Sequence, residues 1–376
     1  MSQLEILISD LAKKAENPRK TINESMAAND KNSIGCLPIY APEELIYAAG
    51  YIPVGLWGGN IKSNKSSKYY PQFCCSIVRA DTELAMNRHY DMLDAIIPSA
   101  FCDTLKCAIE IFKTEMKYTP VLPFVYPQNR KTKAGKDFMI EEYQRLQKEL
   151  ESLSGKKVTD EKLRSSLEVY KEYRKAMREF TRLAAKHTDL INSRTRHNII
   201  KAAYFMDKKE YTQLVKQINA GLQNRTKNQP AKGKVVLTGL MSEPAELLDI
   251  LNQNDLYVVA DDLAQESRQF RTADNDMENV YESLAERLSM QDGCTFLYDS
   301  HKYRIDEIKK LVKDNDADFV IFLQMKFCDP DEFDYPIIEK ALKKEGISVL
   351  YIETEQQVES LGQLTTRIQG FKESRA

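Results

Sequence analysis

The sequence lacks the features of a membrane or secreted protein. Its longest apolar runs, such as residues 319–323, are far shorter than the roughly 20 residues that cross a bilayer. The N-terminal stretch has no basic segment before its apolar residues and no small-residue cleavage site, and Asp10 interrupts it. We therefore expect a cytoplasmic protein with neither a secretory signal nor a membrane partner.

The sequence also contains few histidines and carries little net charge. The 376 residues include four histidines, and the formal net charge is −2. Such a balance gives no general attraction to nucleic acid, so we expect no nucleic-acid partner. No histidine stands at zinc-site spacing from a cysteine, which disfavours zinc. The segment GLWGG at 55–59 does not form the G-x-G-x-x-G turn of dinucleotide sites and is interpreted as a tight turn.

Cysteine is present in an odd number and at long spacings, which argues against a disulfide scaffold in a chain of this kind. The seven residues are Cys36, Cys74, Cys75, Cys102, Cys107, Cys294 and Cys328. Buried packing thiols, a catalytic nucleophile and metal ligands all remain open on residue pattern alone, and packing is the commonest of these.

Short apolar runs alternate with helical patterns in two parts of the chain, which predicts an α/β fold with two doubly wound parallel-sheet lobes. The predicted domains are an N-terminal α/β lobe at 1–136, a helical section at 137–232 and a C-terminal α/β lobe at 233–376. The predicted strands are 51–57, 95–98, 118–125, 235–238, 257–260, 295–298, 319–324 and 349–352. The predicted helices are 42–49, 76–92, 103–114, 244–252, 276–290, 303–313 and 334–345, with three to five more over 137–226.

Three cysteines fall where an α/β fold places its ligands. Cys102 and Cys328 follow predicted strands in different lobes, and Cys75 precedes a predicted helix. The carboxyl ends of parallel strands and the N-termini of helices both favour bound anions, including a thiolate or a sulfide-rich cluster. The intervals of 27 and 226 residues match no compact ferredoxin spacing, so these ligands would have to converge through the fold.

Another group of charged residues, Asp261, Asp262 and Glu266, follows the predicted strand at 257–260. They could be catalytic acids or helix caps, and Arg268 and Arg271 could pair with them or contact a partner subunit.

Eight segments, in order along nearly the whole chain, give the sequence a specific resemblance. They are residues 34–40 (IGCLPIY), 42–50, 53–59, 73–77 (FCCSI), 101–105 (FCDTL), 126–130 (YPQNR), 258–270 and 326–330 (KFCDP). On these segments the chain resembles the 2-hydroxyacyl-CoA dehydratase family, which is related to the benzoyl-CoA reductases. It is most similar to the β subunits of two-subunit dehydratases, such as those acting on lactoyl-, 2-hydroxyisocaproyl- or phenyllactoyl-CoA.

The resemblance implies one [4Fe–4S] cluster held between the two lobes. Carried over residue by residue, it implies Cys75, Cys102 and Cys328 as cluster ligands and Cys36 as a candidate fourth. Cys74 stands where the family usually has a small residue. The implied reaction is the anaerobic dehydration of an (R)-2-hydroxyacyl-CoA to an (E)-2-enoyl-CoA through a ketyl radical. No general base is identified.

The implied partners are an α subunit, which carries most of the contact with the CoA thioester, and a transient ATP-dependent iron–sulfur activator. This chain would relay one electron from the activator to the α-subunit cluster. Two alternatives stay open: a cluster-free scaffold subunit, and a subunit that dehydrates or reduces its own CoA thioester.

Overall fold

The structure is a computed structural model that describes residues 2–37, 39–226, 233–357 and 361–374. The predicted boundary at residue 232, the chain ends at residues 1 and 376, and residue 38 of the IGCLPIY segment lie outside the described residues. None of the helices in these four ranges combines the length and the hydrophobicity that a membrane span requires.

A first parallel sheet of three strands is built from the N-terminal third of the chain. Its strands are β1 (Ser33–Leu37), β2 (Ile52–Gly55) and β3 (Ala95–Pro98), in the order β2-β1-β3. The helices of this part are α1 (Gln3–Lys14), α2 (Pro18–Asn29), α3 (Glu43–Ala48), α4 (Ser76–Met86) and α5 (Asp103–Glu115). All strand residues are buried, as expected for a parallel sheet that is covered on both faces.

Four helices follow, within the predicted range of three to five. They are α6 (Lys133–Ser154), α7 (Asp160–Ala184), α8 (Ser193–Ala202) and α9 (Lys208–Gln223). Thr159 caps α7 by accepting a hydrogen bond from the N–H of Lys162, as its position before two acidic residues predicts. The inner faces of α7, α8 and α9 share a core with α1.

A second parallel sheet forms the C-terminal part. Its strands are β4 (Gly233–Gly239), β5 (Leu256–Leu263), β6 (Phe319–Met325) and β7 (Val349–Thr354), in the order β5-β4-β6-β7. The helices are α10 (Glu246–Gln253), α11 (Val280–Ser289), α12 (Tyr303–Asn315), α13 (Asp329–Lys344) and α14 (Gly362–Glu373).

Side-chain alternation along β4 demonstrates that this sheet is doubly wound. Val235 and Leu237 pack in one apolar cluster with residues of α10 and α14, whereas Val236 packs in another with residues of α12 and α13. Successive side chains of a strand point to opposite faces, so helices must cover both. The prediction of an α/β fold with two parallel sheets and many helices is confirmed.

One of the predicted strands is wrong, and another forms only in part. The segment 295–298 is irregular, because Thr295 donates a hydrogen bond to the carbonyl of Pro330 (2.5 Å) and Leu297 is buried in the main core. The segment 118–125 lies parallel to β3 and its continuation, with bridges at Ile96–Val121 and Ser99–Phe124 and backbone hydrogen bonds such as that from Leu122 to Ile96 (2.8 Å), but it does not form a continuous strand. Conversely β1, the central strand of the first sheet, is absent from the sequence-based prediction.

Candidate functional site

Three cysteines occupy the same position in three different helices. Cys75, Cys102 and Cys328 are the residues immediately before α4, α5 and α13. Each therefore lies at a helix N-terminus, where backbone N–H groups are unpaired within the helix and carry partial positive charge. α4 and α5 lie in the part of the chain that forms the first sheet, and α13 lies in the part that forms the second sheet. The three cysteines therefore come from both parts of the protein.

The three thiols lie close enough to influence one another. Burial raises the pKa of Cys75 to about 12, and the neighbouring Cys102 contributes to that rise. Burial also raises the pKa of Cys328 well above its usual value, with further contributions from Asp331, Cys75 and Cys102. The fold thus gathers side chains that are 27 and 226 residues apart in sequence.

Backbone N–H groups of the first helical turns lie near these sulfurs, although none of the three thiols accepts a cap hydrogen bond from its helix. Each N–H group lowers the pKa of the neighbouring thiol and so acts against burial. They are the N–H groups of Val78 and Ile77 at Cys75, of Leu105 and Thr104 at Cys102, and of Asp331 at Cys328. Groups arranged in this way stabilise negative charge on sulfur.

A hydrogen-bonded contact fixes the two cysteine-bearing loops across the sheets. Ser76, which follows Cys75, lies 3.1 Å from the sulfur of Met325 at the end of β6. Its hydroxyl also accepts the backbone N–H of Gln356 (3.1 Å), and the side chain of Gln356 bonds the carbonyl of Trp57 and the N–H of Gly59. This contact holds α4 against the carboxyl ends of β6 and β7.

The remaining cysteines are placed differently. Cys36 is buried in β1, and the charged groups that shift its pKa are Glu43 and Lys208, on α3 and α9. The structure therefore brings Cys75, Cys102 and Cys328 together and places the Cys36 thiol elsewhere. The pKa of Cys74, next to Cys75, responds to burial and then to Arg79.

The donor set fits a cluster better than a single metal ion. Across the four described ranges, no three His, Cys, Asp or Glu side chains are grouped closely enough to hold one ion. A single zinc ion draws its ligands to one point, whereas a [4Fe–4S] cluster binds each thiolate on a different iron. One buried and two half-buried thiols, which influence one another without forming a single-ion site and each of which immediately precedes a helix, fit the larger anionic group.

A buried ionic cluster lies beside this site, at the end of β5. Asp262 accepts hydrogen bonds from Arg268 (2.9 and 2.8 Å) and from Arg271 (2.6 Å), so the predicted pairing of these arginines is confirmed. Arg304, on α12, reaches both Asp262 (2.9 Å) and Asp331 in the first turn of α13 (2.6 Å). Sequence reasoning missed Arg304 and Asp331, because no local pattern links α12 to α13.

Asp81, on α4, gives a prediction about stability and pH. Its side chain is fully buried, Tyr90 donates a hydrogen bond to it, and its Oδ2 has no partner among the described residues. Burial raises the pKa of Asp81 to about 7. An unfolded Asp ionises near pH 3.9, so between about pH 4 and 7 only the unfolded state loses this proton. The free energy of unfolding therefore decreases by up to about 4 kcal/mol as the pH rises through this range.

The stability of Asp81→Asn minus that of the parent chain is therefore expected to be more favourable at pH 8 than at pH 5. Anaerobic urea unfolding of both chains at the two pH values measures the difference. Equal differences at pH 5 and pH 8 would contradict the assignment.

The chain is similar over its whole length to proteins of one family. A family model described as 2-hydroxyglutaryl-CoA dehydratase, D-component, matches residues 38–374. The chain is 40% identical over 375 residues to the (R)-phenyllactyl-CoA dehydratase beta subunit of Clostridium sporogenes, covering 100% of both chains. It is 40% identical over 377 residues to the lactoyl-CoA dehydratase subunit beta of Anaerotignum propionicum, covering 99% of this chain and 100% of the relative. It is 37% identical over 374 residues to the (R)-2-hydroxyglutaryl-CoA dehydratase, subunit beta, of Acidaminococcus fermentans, covering 98% of each.

Proposed function

This chain belongs to the 2-hydroxyglutaryl-CoA dehydratase D-component family, and on that premise we propose that it is the iron–sulfur β subunit of a two-subunit (R)-2-hydroxyacyl-CoA dehydratase. Dehydratases of this kind are carbon–oxygen lyases. In this proposal the chain relays one electron from an ATP-dependent iron–sulfur activator to a cluster in the α subunit. The product of the complex is an (E)-2-enoyl-CoA.

The observation that carries the proposal is the convergence of three thiols from two lobes on three helix N-termini. We propose Cys75, Cys102 and Cys328 as ligands of one [4Fe–4S] cluster. We leave Cys36 out of this set because burial, and then Glu43 and Lys208 but none of the other three cysteines, shifts the pKa of its thiol. When bound, such a cluster accepts and donates single electrons.

The chain's own residues would tune that site. The N–H groups of the three first turns would stabilise the anionic form of the cluster. This interaction would be stronger than in water because these groups are shielded from solvent. The contact among Ser76, Met325 and Gln356 fixes the distance between the loops of Cys75 and Cys328. We also propose a cytoplasmic location, because all seven cysteines are free and a reducing compartment preserves free thiols.

The proposal assigns the three predicted segments different tasks. The lobes at 1–136 and 233–376 supply the cysteines, two from the first and one from the second. The helical section at 137–232 supplies none, which leaves it available for contact with the α subunit. The CoA thioester binds mainly to that subunit.

Electron entry requires a surface close to the cluster, and exposed aromatic side chains surround the cysteine-bearing loops. Phe73, Phe327 and Phe333 expose 70%, 40% and 80% of their surface. Phe327 adopts a left-handed backbone conformation (φ 63°) immediately before Cys328, which is strained for a bulky residue. Exposed aromatics of this kind mark contact surfaces between proteins, and we propose the activator as the partner.

Phe333→Asp is expected to slow electron uptake from the activator at least about tenfold, because a buried aromatic anchor typically contributes 2 kcal/mol or more. The free energy of unfolding should stay within about 0.5 kcal/mol, since the side chain is exposed. Stopped-flow absorption of the cluster measures the rate.

The control is Tyr118→Asp, which changes an aromatic residue that is 88% exposed beyond the far end of α5, about 20 Å from Cys102 along the helix. Equal rates for Phe333→Asp and the parent chain would argue against this surface.

The main experiment is anaerobic purification of the chain with and without its α subunit, followed by iron and sulfide analysis. Activity is then assayed with ATP and activator on (R)-phenyllactyl-, (R)-lactoyl- and (R)-2-hydroxyglutaryl-CoA. The proposal expects a brown chain with about four irons and activity only in the complex. Full activity from an iron-free chain would establish a scaffold role, and activity without a second subunit would establish a self-sufficient enzyme.

A further inference from the structure

The first turn of α13, the helix that follows Cys328, differs in one residue type from those of α4 and α5. The third residue of α4 is Val78 and that of α5 is Leu105, and both are apolar and buried. The third residue of α13 is Asp331. The third residue of a helix lies next to the residue that precedes the helix, as in a capping box. A carboxylate therefore occupies this position beside one of the three proposed ligands only.

Asp331 is enclosed by the protein. It is 0% exposed, and its backbone N–H donates to the carbonyl of Cys328 (3.0 Å). Its Oδ1 accepts a hydrogen bond from Arg304 (2.6 Å), whereas its Oδ2 has no partner among the described residues. Burial raises the pKa of the Cys328 thiol most, and the carboxylate of Asp331 makes the next largest contribution. The negative charge of Asp331 thus acts on Cys328.

Arg304, on α12, links this carboxylate to the strands of the second sheet. Its guanidinium also donates to Asp262 on β5 (2.9 Å) and to the Thr238 hydroxyl on β4 (2.9 Å). Asp331 is therefore the member of the ion pair that belongs to the helix beginning after Cys328.

The two charges of this pair have opposite effects on a bound cluster. Reduction of an iron–sulfur cluster adds one negative charge, so nearby charges change its reduction potential. A buried carboxylate opposes the added electron and lowers the potential, whereas a buried guanidinium raises it. Both effects are stronger in the protein interior than in water.

We propose that Asp331 lowers the reduction potential of the cluster bound through Cys328 and that Arg304 limits this effect. The inference rests on the proposed cluster and extends it to the residues that set its potential. A low potential suits the relay, because an electron that must reduce a thioester has to come from a weak electron acceptor. Without the charge of Asp331 the cluster would hold the electron more tightly and pass it on less readily.

The test is an anaerobic redox titration, with mediators, of the full-length chain purified without the α subunit, so that only this cluster is titrated. Absorption and electron paramagnetic resonance give the midpoint potential. Asp331→Asn keeps the shape of the side chain and removes its charge. Its reduction equilibrium should shift toward the reduced state by at least about tenfold, which is a rise of about 59 mV for one electron.

Two further variants make the result specific. Arg304→Gln removes the positive member of the pair and should lower the midpoint potential, by at least about threefold in the equilibrium constant. Asp329→Asn removes the same charge from the same turn of α13, but Asp329 is exposed, so solvent screening should keep its effect below about twofold. Opposite shifts from the two buried charges identify an electrostatic role, because a purely structural role has no such sign.

The outcomes separate this inference from the proposed function. A parent chain without iron refutes the proposed cluster, and this inference with it. A parent chain with about four irons whose midpoint potential is unchanged in Asp331→Asn overturns only the role of Asp331. If Asp331→Asn holds no cluster, Arg304→Gln decides, and a midpoint potential that is not lowered overturns the proposal. Loss of the cluster from both variants also overturns it, since the ion pair would then be structural.

Discussion

A chain in which Cys102 or Cys328 is replaced by alanine is expected to fall from about four irons to less than about one when purified anaerobically. Each substitution removes one of three thiols that the fold gathers from two lobes, and the remaining two cannot enclose a cluster. Cys75→Ala should behave in the same way. The brown absorption band and the iron-to-protein ratio measure the loss, and dehydratase activity with the α subunit and activator should fall with them.

Other cysteines provide matched controls within the same chain. Cys107→Ala, on the exposed face of α5, should leave iron content unchanged. Cys74→Ala decides between the neighbours Cys74 and Cys75, and we expect iron to be retained because Cys75 directly precedes α4. Cys36→Ala should retain iron too, since Cys36 is buried in β1 and none of the other three cysteines contributes to the pKa of its thiol.

The pattern of outcomes separates the possible roles. Loss of iron from Cys36→Ala would indicate that Cys36 is the fourth cluster ligand. Full iron in both Cys102→Ala and Cys328→Ala would remove the proposed cluster site.

Much of the α/β fold could be predicted from local pattern. The strand at 95–98 has the predicted bounds, and those at 235–238, 257–260, 319–324 and 349–352 each lie within a longer observed strand. These segments are rich in β-branched and aromatic residues and lie between helix signals, so propensity and burial agree.

Local pattern fails where distant contacts decide. β1 reads SIGCL and carries Gly35, where a Cβ would meet the side-chain ends of Leu56 (2.7 Å) and Leu93 (2.9 Å). Glycine weakens the strand signal, although here it lets both leucines pack closely against the strand. The segment 295–298 has strong strand formers, but its contact with the start of α13 holds it in an irregular conformation.

The candidate site, like the fold, could be predicted from the sequence only in its local features. Each cysteine could be assigned to a helix start or a strand end, because caps and strand ends are local features. Their proximity, and the separation of Cys36 from them, depend on how two sheets pack together. The interval of 226 residues between Cys102 and Cys328 contains nothing that encodes this distance locally.

The buried carboxylate of Asp262 should be highly sensitive to substitution, with a large effect on stability. It is fully buried, and three guanidinium groups and the Thr238 hydroxyl (2.8 Å) converge on it. Burial opposes its ionisation, but Arg268, Arg304 and Arg271 hold the pKa of Asp262 well below its usual value. Its stabilisation is therefore present above about pH 4, where an unfolded Asp is ionised, and is lost as pH falls toward the lowered pKa.

Asp262→Asn keeps the shape of the side chain but leaves buried arginines without their shared anion. Removing one partner from a buried ion pair costs about 3–5 kcal/mol, and we expect a loss of that size at pH 7 in anaerobic urea unfolding. Because Arg304 also holds Asp331 in the first turn of α13, iron binding through Cys328 should weaken in the same variant. Asp316→Asn breaks an ion pair with Lys234 in which Asp316 is 95% exposed, and should cost no more than about 1 kcal/mol. A similar small loss for Asp262→Asn would mean that the arginines are satisfied without it, and that α13 is positioned by its apolar contacts alone.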